Sequence, residues 1–186
     1  MLCSLLIDSC SYFRLAQSIH PLLKNNHCEE GYYICVINEL NEEYKKNNRL
    51  VNKFFWVEQE EYKENRKKCF LLKEEIRTAI KNAFYFIRET ARDQGLGVSK
   101  VDIIALSHSY VLKIPLVTDD GDLLELAEEY EVDTLKTIQL IKHLYDCGKI
   151  DMKQVRAIAE YWIYLNDTPK SYSSDYKKLF KEDAPR

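Results

Sequence analysis

Four acidic side chains lie where short apolar runs end or where a helix is predicted to begin: Asp8, Glu39, Asp102 and Asp120. Carboxylate oxygens are hard ligands of the kind that Mg²⁺ and Mn²⁺ prefer in proteins. A bound divalent ion lowers the pKa of its coordinated water and neutralises charge on phosphoryl oxygens. If the four side chains meet, they can support metal-dependent hydrolysis of a phosphodiester bond.

Three of the acids follow strand-like segments, and the fourth lies at the start of a helix. Asp102 falls in the first turn of a helix that is predicted to open at Ser99. The carboxyl ends of neighbouring parallel strands share one edge of an open sheet, where ligands commonly bind. We therefore expect the acids to gather at such an edge. The strand-like segments are residues 2–7, 32–37 and 114–118.

The first 134 residues alternate between strand-like and helical patterns. In the longest helical stretch an apolar stripe recurs at helical spacing, with the members Leu72, Ile76, Ala79, Ala83 and Phe86. This alternation predicts an α/β fold with a Rossmann-like parallel sheet and helices on both faces. Helices are predicted over 9–23, 38–49, 58–92, 99–112 and 122–130, with a brief edge strand near 132.

After residue 134 the pattern is purely helical. Residues 135–167 predict a C-terminal helical hairpin packed on the first domain, with a break at Cys147-Gly148 and a second helix capped by Asp151. Residues 168–186 are rich in Ser, Lys, Tyr and Asp, which favours a partly disordered tail. The expected organisation is therefore a domain over 1–134, the hairpin and the tail.

The order of these segments resembles the PIN-domain family, the metal-dependent nucleases typified by bacterial toxin ribonucleases. The resemblance implies a PIN-like nuclease domain over residues 1–134, with divalent metal as cofactor and RNA as substrate. The chain between Glu39 and Asp102 is long for a compact PIN domain, which leaves the placement of the second acid open. The matching segments are LLIDSCSYFRLA at 5–16, VINEL at 36–40, SKVDIIALSHSYVL at 99–112 and IPLVTDDGDLLELA at 114–127.

The resemblance implies that Asp8, Glu39, Asp102 and Asp120 are both the catalytic and the metal-binding residues, for Mg²⁺ or Mn²⁺. Asp8 and Asp120 are expected to bind the ion directly, and Asp102 directly or through water. Glu39 is expected to hold this ion or a second one, or to help deprotonate the attacking water.

Four neighbours are expected to support this centre. Ser9 and Thr118 carry hydroxyls that can orient carboxylates or bound water. Asp119 and Asp122 compete with Asp120 for its role, but the family's T-x-D pattern favours Asp120.

Each acid also has a structural interpretation. Asp8 is a favoured residue for capping the following helix, and Asp102 suits the first turn of a helix on electrostatic grounds. Asp120 fits an ordinary turn into a helix, and Glu39 fits a solvated helix face. The coincidence of all four in the family's order favours the nuclease interpretation.

Composition predicts a single cytoplasmic domain with a helical extension. The chain has 186 residues, of which 46% are hydrophobic and 31% charged, and no apolar run approaches the roughly 20 residues that span a bilayer. The N-terminus lacks a basic region ahead of its apolar run, so no signal peptide and no membrane association are expected. The six cysteines form no CxxC pair, which favours reduced thiols, and the four histidines have no zinc-ligand spacing.

Contacts with RNA are less evident, because the net charge is −3. Residues 63–81 are rich in Lys and Arg, and the candidates for phosphate contact in this segment are Arg66, Lys67 and Lys68. Arg14, near Asp8, is a further candidate. A solvated helix face is the alternative for the basic segment, and an ion pair is the alternative for Arg14. DNA remains an alternative substrate.

The expected role is that of a toxin in a toxin–antitoxin or defence pair, with an antitoxin, another protein or a second copy of the chain as partner. The alternative is a PIN-like domain that binds a protein through the hairpin and performs no catalysis. A different α/β phosphoryl-transfer enzyme is disfavoured, because Cys10 stands where haloacid dehalogenase-like phosphatases need a second Asp and no Gly-rich phosphate loop is present.

Overall fold

Four short parallel strands form one sheet at the centre of the computed structural model, which describes residues 4–19, 23, 33–67 and 70–185. The strand order is β2-β1-β3-β4, so β1 lies inside the sheet, and its Leu6 pairs with Cys35 on one side and Leu116 on the other. The predicted α/β class with an all-parallel sheet is confirmed. The strands are β1 (Ser4–Ile7), β2 (Tyr33–Cys35), β3 (Leu116–Val117) and β4 (Thr134–Leu135).

Helices connect the strands and extend the chain beyond them. A short 3-10 helix over Phe55–Glu58 adds a turn between the third and fourth α-helices. The α-helices are α1 (Ser9–Ile19), α2 (Leu40–Lys46), α3 (Asn48–Lys53), α4 (Glu60–Arg66), α5 (Glu74–Asp93), α6 (Lys100–Leu112), α7 (Gly121–Glu129), α8 (Thr137–Asp146), α9 (Met152–Tyr164) and α10 (Tyr172–Phe180).

The central strand β1 is buried on both faces. Its alternating side chains separate into two apolar clusters, because successive residues of a strand point to opposite faces of a sheet. Leu5 and Ile7 pack in a cluster with residues of α1, α8 and α9, whereas Leu6 packs in a cluster with residues of α5, α6 and α7. Helices therefore cover both faces of the sheet, as the sequence predicts.

The long helix predicted over 58–92 is divided into α4 and α5. The residue before α5, Lys73, has an extended backbone with φ −69° and ψ 159°. The predicted stripe is confirmed at Ala83, which is buried, and is wrong at Phe86, which is 67% exposed. The other buried side chains of α5 are Ile80, Ile87 and Ala91. Two apolar faces of similar spacing run along this helix, and packing against α6 buries only one of them.

The C-terminal helices pack on the domain through aromatic side chains. Trp162 of α9 is fully buried in the same cluster as Leu5 and Ile7. Instead of the expected loosely ordered tail, residues 172–180 form α10. Tyr172 of that helix lies 6.0 Å from the ring of Trp162, and Tyr176 lies 4.8 Å from the ring of Phe180.

Two other expectations concern the cysteines and the membrane. Cys10 is a free thiol, as expected, but Cys147 takes part in a disulfide, so the prediction of reduced thiols was wrong there. Among the helices of the described ranges, none combines the length and the apolar character that crossing a bilayer requires.

Candidate active site

Asp8 lies directly after β1, with its side chain withdrawn from water. Its Oδ1 accepts a hydrogen bond of 2.7 Å from the backbone N–H of Ser11, so it caps α1 as the structural interpretation predicts. Its Oδ2 is buried and has no hydrogen-bond partner in the described part of the chain. Burial raises the pKa of Asp8 to about 6, although hydrogen bonds from Thr118 and Ser11 partly oppose the shift. One carboxylate oxygen is therefore used by the fold, and the other is available to a ligand.

Asp102 lies in the first turn of α6. The helix begins as the sequence predicts, because the Ser99 hydroxyl accepts a hydrogen bond of 3.2 Å from the backbone N–H of Asp102. Burial raises the pKa of the Asp102 carboxyl to about 7, and the negative charges of Asp8, Glu43 and Asp120 add to the shift. These four carboxylates are therefore close enough to influence one another electrostatically.

The glutamate whose charge acts on Asp102 is Glu43, while the role of Glu39 stays a prediction. Glu43 lies one turn further along α2, and its Oε2 is buried with no hydrogen-bond partner among the described residues. Burial lowers the pKa of His108, whereas the charge of Glu39 acts on that ring in the opposite direction. Glu39 therefore faces a different neighbourhood. The positions of Glu39 and Glu43 in the sequence could not show which of them approaches Asp102, because residues four apart lie on the same face of a helix.

Asp120 is the exposed member of the group and the N-cap of α7. Its Oδ1 accepts a hydrogen bond of 2.9 Å from the backbone N–H of Leu123, while its own N–H donates to the Thr118 hydroxyl at 3.1 Å. Thr118 is fully buried, and its hydroxyl also helps to lower the pKa of Asp8. Thr118 therefore connects the two aspartates. Ser9, the other expected hydroxyl, is buried with no partner for its Oγ in the described ranges.

Asp119 and Asp122 are already engaged in contacts that hold the fold. Asp119 forms an ion pair with Arg14, and its Oδ1 accepts a hydrogen bond of 3.1 Å from the backbone N–H of Thr137. Asp122 accepts a hydrogen bond of 2.7 Å from the backbone N–H of Gly97. These contacts give both side chains structural roles and strengthen the preference for Asp120.

Arg14 is held inside the protein rather than presented to solvent. Besides Asp119, its guanidinium donates to the carbonyl of Asp167 at 3.0 Å, and it lies 5.9 Å from the ring of Trp162. Its side chain is 10% exposed. The ion-pair alternative therefore describes Arg14 in this structure.

The basic segment contributes less to the surface than its sequence suggests. Arg66 is buried and donates to the Tyr12 hydroxyl at 3.1 Å, to Asn41 Oδ1 at 3.0 Å and to the carbonyl of Val57 at 3.0 Å. Lys67 is exposed and pairs with Glu64, and Lys68 lies outside the described residues. Arg66 therefore stabilises the packing of α4.

The chemistry of the acidic group fits a hard divalent cation. Its donors are all carboxylate oxygens, and two of them, Asp8 Oδ2 and Glu43 Oε2, are buried without a partner in the described ranges. No three histidine, cysteine or carboxylate side chains of the described chain form a ready-made metal-binding group. An ion bound between Asp8, Glu43 and Asp102 would relieve the repulsion among them.

Comparison with known proteins adds a likeness of fold. No family model matches the sequence, and no curated protein matches it. The structure aligns with the crystal structure of FitAcB from Neisseria gonorrhoeae at 12% sequence identity. The alignment covers 72% of this chain and 97% of the other, with a TM-score of 0.47. It is a likeness of fold alone.

Proposed function

We propose that this protein is a divalent-metal-dependent endoribonuclease of the PIN type. The main support is the electrostatic grouping of Asp8, Glu43, Asp102 and Asp120, together with the two buried carboxylate oxygens that have no partner in the described chain. A structural cap needs its carboxylate satisfied by the backbone, and this accounts for Asp8 Oδ1 but leaves Asp8 Oδ2 unexplained. Buried polar atoms are almost always hydrogen-bonded, so an unpartnered one calls for a ligand or a functional role.

Each carboxylate has a role that follows from its surroundings. Asp8, Glu43 and Asp102 would hold the ion, and Asp120, the exposed member, would be accessible to a substrate. Mg²⁺ or Mn²⁺ bound there would supply an activated water and neutralise charge on the phosphoryl group. The hydrogen bond from the backbone N–H of Ser11 fixes the orientation of Asp8, which limits the reorganisation needed on binding.

Paired glutamate variants test this assignment. Cleavage of an RNA pool is measured with Mn²⁺, Mg²⁺ or EDTA for the wild type, Asp8→Asn, Glu43→Gln and Glu39→Gln. We expect metal-dependent cutting that Asp8→Asn abolishes and Glu43→Gln reduces by about 100-fold or more. Glu42→Gln, at an exposed position beside Glu43 on α2, is measured as the matched control and is expected to retain cleavage within about threefold, in the range of an altered surface charge.

Two results would contradict the proposal. Cutting that survives in Asp8→Asn would remove the carboxylate group from the mechanism. A larger loss in Glu39→Gln than in Glu43→Gln would return the second acid to Glu39. A parallel DNA pool shows whether RNA is the preferred substrate.

A protein-binding role is the second candidate, and the observation that favours it is the exposed apolar face of α5. Phe86 is 67% exposed and Tyr85 51%. This face is a better docking surface for an antitoxin or a second copy of the chain than the C-terminal hairpin, since Leu144 and Trp162 are fully buried in the chain's own core.

If the protein is a toxin, its expression should arrest growth and Asp120→Asn should relieve the arrest.

A further inference from the structure

A cavity of about 520 Å³ lies between α5, α6 and the segment that follows β2. It shares one helix with the proposed site, because Lys100 of α6 lines the cavity and Asp102 belongs to the same helix. Residues two positions apart lie on different faces of a helix, so Lys100 faces the cavity and Asp102 does not. A ligand in this cavity therefore contacts α6 without contacting the carboxylates.

Three cations line the cavity and are not neutralised by ion pairs. Arg77, Lys81 and Lys100 are exposed, and none of them pairs with a carboxylate in the described part of the chain. The Nε of Arg77 donates to the carbonyl of Leu72 at 3.1 Å, which fixes the guanidinium in place. Since the whole chain carries a net charge of −3, three unpaired cations at one cavity indicate an anionic ligand.

The remainder of the lining is apolar and aromatic. Phe70 and Phe84 lie on it, and the ring of Phe70 is 5.8 Å from the ring of His108. The Nδ1 of His108 lies 2.8 Å from the carbonyl of Ile104. Because a carbonyl oxygen only accepts hydrogen bonds, Nδ1 carries the proton, and Nε2 of the neutral ring is a hydrogen-bond acceptor. Flat apolar faces beside a hydrogen-bond acceptor suit a nucleobase.

We propose that this cavity binds one unpaired nucleotide of a single-stranded RNA, with its base among Phe70, Phe84 and His108 and its phosphates at Arg77, Lys81 and Lys100. The inference rests on the proposed nuclease function and specifies its substrate. A base in a duplex is already stacked and paired, so only a single strand can place a base in the cavity.

Binding in EDTA tests this inference without requiring catalysis. The probe is a short fluorescein-labelled oligouridine, and its anisotropy is followed during titration with the full-length protein. We expect Lys81→Ala to raise Kd by about three- to tenfold and to reduce the salt dependence by about one phosphate contact. Phe70→Leu keeps an apolar side chain but removes the stacking ring, and it should raise Kd about tenfold.

The matched control is Lys153→Ala on α9, which removes an exposed lysine far along the chain from the cavity. Its Kd should equal that of the wild type. Lys81 is exposed, so Lys81→Ala retains the fold, and circular dichroism checks the fold of Phe70→Leu.

The outcomes separate this inference from the nuclease proposal. Weaker binding by both cavity variants supports the nucleotide site even if the wild type never cleaves RNA with Mn²⁺. Unchanged binding by both variants overturns the nucleotide site even if the wild type cleaves RNA. A protein segment would then be the expected ligand of the cavity. A wild type that does not bind the oligouridine also overturns the nucleotide site.

Discussion

Asp8→Asn is expected to stabilise the metal-free protein near pH 8. Burial raises the pKa of Asp8 from 3.8 to about 6. Because the folded pKa exceeds the unfolded one, the stabilisation from this carboxyl is fully present below pH 3.8 and is lost as the pH rises through about 6. At pH 8 the wild type therefore carries a buried, ionised carboxylate that destabilises it.

The size of the effect follows from the pKa shift. A shift of about two pKa units corresponds to ~3 kcal/mol of unfolding free energy. For a chain of this length ~1 kcal/mol changes Tm by about 2–4 °C, so the gain in Tm is about 6–12 °C at most. Asparagine keeps an oxygen that can accept the 2.7 Å hydrogen bond from Ser11. Removing the Asp8 charge also removes one cause of the raised pKa of Asp102.

Thermal unfolding by circular dichroism in EDTA, at pH 4 and pH 8, measures this difference. The variant should exceed the wild type in Tm at pH 8 and equal it at pH 4, where Asp8 is protonated in the folded protein. Asp120→Asn is the control, because Asp120 is exposed and asparagine caps a helix as well as aspartate does. Adding Mn²⁺ should raise the Tm of the wild type and not that of Asp8→Asn. An Asp8→Asn protein less stable than the wild type at pH 8 would refute the reasoning.

Three further predictions concern the framework that holds the site. Arg14→Ala should lower the free energy of unfolding by about 3–5 kcal/mol in urea titration, because it leaves the carboxylate of Asp119 without its ion-pair partner in a site that is 10% exposed. A loss below ~1 kcal/mol would contradict a structural role for the pair. Ser99→Ala should remove the cap of α6 and lower stability by ~1 kcal/mol in the same titration, whereas Ser99→Asn, an uncharged cap, should restore it. Trp162→Ala should lower the free energy of unfolding by about 3–5 kcal/mol, since the ring is fully buried. A smaller effect in the same urea titration would show that α9 packs loosely on the domain.

Features decided by near neighbours could be predicted from the sequence. Ser99, Asp120 and Asp151 cap their helices, as their residue types and positions indicate. A cap is decided by hydrogen bonds to backbone groups two or three residues away, so the sequence alone carries the information. The alternation of strand and helix patterns likewise predicts the parallel sheet, because each pattern is local.

Features decided by distant contacts could not be predicted. The sequence favours Glu39, which follows an apolar run, whereas the packing of α2 brings the charge of Glu43 close to Asp102. The pairing of Arg14 with Asp119 joins residues 105 positions apart.

The burial of Arg66 and the proposed nucleotide cavity are likewise decided by distant contacts. The sequence predicts a surface cation at Arg66, yet Tyr12, Asn41 and Val57 approach it, bury it and accept hydrogen bonds from its two terminal nitrogens. The cavity combines α5, α6 and the segment after β2, which are separate in the chain. The sequence by itself determined the elements and the residues at their ends, whereas the tertiary structure decided which side chains meet, because packing free energy depends on surfaces that adjoin only after folding.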